Sequence, residues 1–384
     1  MIAKKLRAAA AALFLGTAAM TAGAILSSTP AEAAVRAAVG KPLQDALSAA
    51  QAGNYSAAMQ KVRQAESVSG LTAEEKKIIG QTRQYIEVKS GGKVAVTSAA
   101  GAKAKFDADY RARRFRDTIE NEALLRKYGA LDAQSMVIIA QAYYQLGEYS
   151  GCLRYALNHT SAGSAILERA MQCAFRLGND DQMRDVAMRL VASSGSAKNW
   201  TTLLNLADRA KQMSDPQKLD IYRLRMLTGA MVKPRDDYMT LAQLLIAGRL
   251  PTEARTVVEK GMAAKILVDN RAQRLLGRAK ADQAKDVATL GKQLAAAKKS
   301  RDGDELVRIG QDLTGMGKYP EAIDAINEGI DKGPHDPDMA YVALAQAQYA
   351  AGQKAAALSS LKKANKSPNG KMIAGMWDLY MRQH

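Results

Sequence analysis

The stretch DELVRIGQDLTGMGKYPEAIDAINEGIDKGPHDP, residues 304–337, decides the fold together with the one that follows it, PDMAYVALAQAQYAAGQKAAALSSLKKANKSP, residues 337–368. Aligned with each other, they carry the same residue types at the same places. In the first, Leu306, Ile309 and Gly310 mark one helix, Gly317 and Tyr319 a turn, Ala322 and Ile326 a second helix, and Pro334 the close of the unit. In the second, Tyr341, Leu344, Ala345, Gly352, Ala357 and Leu361 take those roles and Pro368 closes the unit one place early. Small residues let two helices approach and large ones fill the gap between them, so each stretch predicts an antiparallel helix pair.

This pattern resembles the tetratricopeptide repeat, a helix pair of about 34 residues that buries its apolar face only by stacking on its neighbours. Weaker copies lie upstream. MVIIAQAYYQLGEYSGCLRYAL carries Met136, Ile139, Ala140, Tyr143, Gly147, Tyr149 and Cys152 in matching roles, and LERAMQCAFRLGNDDQMRDVAM repeats the phase around Gly178. LQDALSAAQAGNYSAAMQKVRQAE, with Gly53, Tyr55 and Ala58, reads as a first repeat. LAQLLIAGRLPTEARTVVEKG, around Gly248, reads as a further one with a residue inserted before Ala254. The clearest repeats span 133–163, 164–195, 303–336 and 337–369. The segments 199–231 and 269–299 have the periodicity and length of degenerate pairs. The expected fold is all-α: an α-solenoid of stacked antiparallel helix pairs, a TPR-like superhelix, with residues 370–384 as a capping helix that presents Met376, Trp377, Leu379 and Tyr380 to the last repeat.

Composition agrees. Hydrophobic residues make up 47% of the chain and aromatics only 5%, with nine prolines and no alternating β-branched runs, which favours helices over sheet. At the N-terminus Lys4, Lys5 and Arg7 precede an apolar run ending near Leu26, and Ala31-Glu32-Ala33 supplies a small-residue cleavage site. Residues 1–33 therefore read as a signal peptide cleaved near Ala33, which makes the mature chain periplasmic or secreted with no transmembrane span. The stretch SGGKVAVTSAAGAKAK, residues 90–105, breaks the helical pattern and reads as a loop, with FDADYRARRFRDTIENEALLRKYG resuming as a charged helix. The expected organisation is an N-terminal helical TPR-like unit over 34–100 and the solenoid over 101–384.

Chemistry-bearing motifs are sparse. The three histidines, His159, His335 and His384, are scattered, and no metal-ligand spacing, phosphate-binding glycine loop or nucleophile elbow occurs. The sequence points to no enzyme, cofactor or metal. Cys152 and Cys173 fall on neighbouring helices by repeat phase, and form a candidate disulfide in an oxidising compartment; two small buried thiols are the alternative.

The formal net charge is +17, spread over runs such as Arg111-Arg113-Arg114-Arg116, Arg271-Arg274-Arg278-Lys280, Lys298-Lys299-Arg301 and Lys362-Lys363-Lys366. Such a chain is drawn to polyanions. In an exported protein these are anionic glycan, lipid surfaces or acidic protein faces, not nucleic acid. A more specific signal is a glutamine just after the small position of the first helix in four repeats: Gln141, Gln172, Gln311 and Gln346. The resemblance places that helix on the concave groove, where a carboxamide both donates to and accepts from a peptide backbone. Tyr144, Arg176, Arg308 and Tyr349 lie three or four residues from these glutamines, and complete the candidate partner-binding groove. In the family's carboxylate-clamp members an Asn holds the glutamine's place and a Lys lies four residues before it. Here Val137, Glu168, Val307 and Val342 hold the earlier place, so the pattern does not support a clamp. The expected function is a scaffold or adaptor for protein partners in the cell envelope. Binding of anionic glycan or lipid through basic helix faces is the alternative.

Overall fold

The structure, a computed structural model, describes residues 35–91 and 95–384. The signal-peptide reading lies outside the described residues. Nineteen α-helices and one short 3-10 turn are the regular elements among the described residues. In chain order they are α1 (Ala37–Gln51), α2 (Tyr55–Glu66), α3 (Ala73–Lys89), α4 (Ala99–Arg111), α5 (Phe115–Lys127), α6 (Ala133–Gln145), α7 (Tyr149–Asn158), α8 (Ser164–Leu177), α9 (Asp180–Ser193), α10 (Ala197–Asp208), α11 (Asp215–Leu227), α12 (Pro234–Ala247), α13 (Pro251–Ala263), α14 (Asn270–Lys299), α15 (Asp304–Gly315), α16 (Tyr319–Asp331), α17 (Pro337–Ala350), α18 (Lys354–Leu361) and α19 (Pro368–Gln383). None of these helices is long and apolar enough to cross a membrane. From α1 to α6, and again from α8 to α19, consecutive helices pack on each other, as the all-α repeat reading requires. Two compact units result, one ending at Cys152 and one beginning at Leu153. This division differs from the boundary expected near residue 100, where α3 and α4 pack together.

Local chemistry sets the helix ends. Asn54, Thr72, Ser98, Asp132, Asn179, Ser196, Ser214, Asp269, Asp336 and Ser367 each accept a backbone N–H of the following first turn. Six prolines stand in the first turns of α11, α12, α13, α16, α17 and α19, where a missing N–H costs nothing. The turn glycines of the repeats, Gly53, Gly147, Gly178, Gly317 and Gly352, all adopt positive φ between 66° and 79°. That conformation costs a residue with a Cβ roughly 1–2 kcal/mol. The repeat phase is visible in burial: Leu306, Ile309, Ala322, Ile326, Leu344, Ala345, Ala357 and Leu361 are all in the core. A Cβ on Gly310 would lie 2.9 Å from the carbonyl oxygen of Ala322, which shows how closely α15 and α16 approach.

A pair of substitutions tests this phase. Ala322→Arg forces a cation into a contact with no exposed surface and is expected to unfold the C-terminal repeats. Gly317→Val is expected to cost about 1–2 kcal/mol, from its φ of +76° and not from crowding, because nothing lies within 4 Å of a Cβ there. Urea melts of the two variants, with Ala322→Arg no worse than Gly317→Val, would contradict the phase.

Four expectations need correction. The stretch 90–105 is not a loop throughout, because Ser98 caps α4 and the helix begins at Ala99. The residues just before it are tied down: Glu87 accepts from the Thr97 hydroxyl at 2.9 Å, and Tyr128 donates to the Val96 carbonyl at 2.8 Å. The charged segment after it is two helices, with Arg113 at φ +60° in the turn where other pairs place glycine. In the repeat around Gly248 the left-handed residue is likewise Arg249, one place later. The fourth correction is to 269–299, which forms one continuous 30-residue helix instead of a pair. It has no turn chemistry, and Gly277 and Gly291 remain helical with open space around them.

The first unit closes around Val39, Leu43, Ala46, Met59, Val62, Ile79 and Ile86. Glu75 pins it. This carboxylate completes the capping box of α3 with Thr72 and accepts from the Arg36 guanidinium at 2.8 Å, which holds its pKa down at about 2. In the second unit α14 joins two core clusters. Ala272 and Ala279 belong to the cluster of α12 and α13, and Ala297 to that of α15 to α17.

Candidate binding groove

α19 does more than cover the last repeat. It packs on α17 and α18, and also on α9 and α11, so the chain's end returns to helices that precede it by more than 140 residues. The reason lies in its side chains. Trp377 donates its indole N–H to Asp220 of α11 at 3.2 Å. Gln383 donates to the Val191 carbonyl at 2.6 Å and accepts from the indole of Trp200 at 3.3 Å. The apolar faces of Ile373, Met376, Trp377 and Met381 are buried by this return.

At the centre of the second unit lies a charged layer. Asp220 also accepts from Gln346 Nε2 at 2.6 Å and from Arg223 Nη1 at 3.2 Å. Arg223 grips Glu253 of α13 through Nε at 2.9 Å and Nη2 at 2.5 Å, and approaches Gln311 Oε1 at 3.5 Å. Asp220 and Arg223 are both buried. Burial pushes the Asp220 carboxyl above its usual range, against the opposing pull of Arg223 and Gln346. Burial also weakens the guanidinium's hold on its proton, but Glu253 and Asp220 outweigh it and keep Arg223 firmly charged. A neighbouring carboxyl, Asp312, is likewise raised by burial and accepts from the Thr252 amide.

Two cavities flank this layer, and Gln311 borders both. The first, about 380 Å³, has Tyr349, Trp377 and Tyr380 as aromatic walls, Met226, Leu227 and Met381 as apolar ones, and Gln311 and Gln346 beside Arg223 and Glu253. Tyr380 meets Tyr349 and Trp377 edge-on, with ring centroids 6.3 and 5.6 Å apart. The second, about 450 Å³, lies toward the N-terminal ends of α11, α15 and α17, with Arg308, His335 and Met339 in its wall.

Of the residues read from sequence, Gln311, Gln346 and Tyr349 share the first cavity, and Arg308 lines the second. Arg308 is also a structural tie: it donates to Glu305, to Gln293 of α14 at 2.7 Å and to the Arg249 carbonyl at 2.9 Å, which fixes the left-handed turn. Gln172 and Arg176 are exposed on α8, where Gln172 accepts from Arg169. Gln141 and Tyr144 are half-buried on α6 in the first unit, and Tyr144 packs edge-on against Tyr149. Cys152 and Cys173 are wholly buried, and neither is a free thiol. Sequence reasoning missed Asp220, Arg223 and Glu253. The i,i+3 placement of Asp220 and Arg223 was the available signal, but on a helix it is indistinguishable from a solvated ion pair until burial is known.

No family model matches the chain, and no curated protein does. Among solved structures it is similar to the TPR2AB-domain:pHSP90 complex of yeast Sti1, at 18% identity over 74% of this chain and 98% of that one, with a TM-score of 0.25. It is also similar to the TPR domain of P58(IPK), at 11% identity over 90% and 80% of the two chains and a TM-score of 0.25. A third likeness is to the Cut9–Hcn1 hetero-tetramer of APC/C, at 10% identity over 86% and 68% and a TM-score of 0.24. The class rests on the chain's own geometry. Its phased helix pairs, turn glycines and small interhelical contacts define an all-α protein of stacked tetratricopeptide-like repeats.

Proposed function

We propose that this chain is a non-catalytic scaffold or adaptor that binds protein partners in the cell envelope, exported by its N-terminal segment and acting in the periplasm. One observation carries the binding site: the first cavity joins three aromatic side chains and two carboxamides in a space of about 380 Å³. That volume lies within the range of pockets that seat a ligand. Apolar walls with a few placed polar groups suit one large side chain of a partner peptide, while Gln311 and Gln346 address its backbone. A Cys152–Cys173 bond fits the same exported setting. Thiol labelling of the denatured chain should require prior reduction; labelling without it would oppose the bond.

Site-specific photo-crosslinking tests the site in cells. A photoreactive phenylalanine at Tyr349 is expected to yield a discrete protein adduct, and the same group at exposed Lys354 on α18 none. Equal adducts from both positions, or only lipid or glycan adducts, would remove the reading.

A further inference from the structure

The outer face of α14 carries a cation at every seventh residue: Arg271, Arg278, Lys285, Lys292 and Lys299. All five are exposed. Between them the same face carries exposed Arg274 near its start and Thr289 further on, and is otherwise small, with Gly277, Ala281, Ala284, Ala288, Gly291 and Ala295. The opposite face holds Leu276, Ala279, Leu290 and Ala297 in or against the core. Among the described residues, no side-chain ion pair engages Arg271, Lys285, Lys292 or Lys299, whereas Arg278 reaches Asp282 of its own helix at 3.4 Å. The row spans about 42 Å, with cations about 10.5 Å apart.

We infer that this face docks an acidic α-helix of a partner protein, a conclusion that rests on the scaffold reading and names a second contact surface for it. Three observations select that occupant. Charge complementarity asks for an anionic partner. The strict seven-residue period drifts about 20° per heptad around a straight helix, hence about 80° along this row. A second helix follows that drift by winding around the first, whereas a flat lipid surface loses the row partway. The third is the lack of bulk between the cations from Arg278 onward, where Ala281, Ala284, Ala288, Gly291 and Ala295 stand: side chains at the contact set how closely two helix axes approach, while a flexible polyanion gains nothing from Ala and Gly. A lipid surface would also favour an apolar stripe of Trp, Phe or Leu, and on α14 the large hydrophobic residue most open to solvent is Val287.

The test uses the full mature chain and a fluorescent synthetic peptide of about four heptads, helical, with Glu at every seventh position and Ala beside it. Binding is read by anisotropy. A scrambled peptide of the same composition is expected to bind at least about tenfold more weakly. Lys285→Glu with Lys292→Glu is expected to cost about tenfold, through charge lost at one face. Ala281→Gln with Ala288→Gln, which keeps the charge and the helix, is expected to weaken the peptide but not inorganic polyphosphate. Circular dichroism checks that each variant keeps its helicity. Equal affinity for the scrambled peptide, or indifference to the two Gln substitutions, would overturn the acidic-helix assignment. So would tighter, equally base-dependent binding of polyphosphate or of phosphatidylglycerol vesicles, which would assign the face to a linear polyanion or a membrane. A Gln311→Ala variant carrying the photoreactive group at position 349 separates the surfaces: if it abolishes the protein adduct but leaves peptide binding intact, the two sites are independent. Peptide binding with no cavity adduct in any cell would sink only the cavity.

Discussion

Arg223→Met is expected to lower the stability of the second unit by about 3–5 kcal/mol, the cost of breaking a buried ion pair from one side. Among the described residues the guanidinium is the only cation facing Asp220, and it also holds both oxygens of Glu253. Without it, Asp220 retains Gln346 and Trp377 as donors but has no compensating charge. The deficit should depend on pH. A carboxyl whose folded pKa lies above its unfolded value contributes stability that is present below the unfolded pKa and lost as pH rises through the folded one. Burial already raises Asp220 in the parent, and removing Arg223 raises it further. The variant should therefore fall further behind the parent near neutrality than near pH 4. Adding Asp220→Asn should recover part of the loss, because the amide oxygen still accepts from Trp377 and no charge remains to bury. Urea melts at the two pH values measure all three chains. A pH-independent deficit would show that Asp220 is not the group left stranded.

Trp377→Ala is expected to be as damaging, at about 3–5 kcal/mol for a buried tryptophan, with a consequence the arginine variant lacks. Trp377 is 5% exposed and ties α19 to α11, where the chain's end closes on earlier helices. Its loss should detach α19 first, leaving α15 to α17 folded on their own core. Proteolysis in native buffer should then cut between α18 and α19 in the variant and not in the parent. Uniform cutting along the unit would contradict a local detachment.

The contrast between these two residues and the repeats shows what sequence makes legible. Gly317, Ala322 and Gly352 announce their roles because a turn with positive φ and a close interhelical contact each admit few residue types. Arg113 and Arg249 hide the same turn behind a side chain that merely tolerates it. The continuity of α14 is legible only as the absence of a breaker, a signal that repeat phase does not carry. Trp377 was visible as an apolar anchor for the final helix, but its partner Asp220 lies 157 residues away, and no local pattern encodes that pairing. Register alone points to the groove glutamines. Register placed Gln311 and Gln346 on the inner face, but not the charged layer that Gln346 completes.

The most direct test of the closed second unit uses the two tryptophans, the only ones in the chain. Both indole N–H groups donate across the closure made by α19, Trp377 to Asp220 and Trp200 to Gln383. In a nitrogen-15 spectrum of the mature chain, the two indole signals are expected to exchange with solvent deuterium slowly and at similar rates. Rapid exchange of both, at the rate of a free indole and with the helical circular dichroism intact, would mean that the repeats form but the end of the chain never closes on α9 and α11.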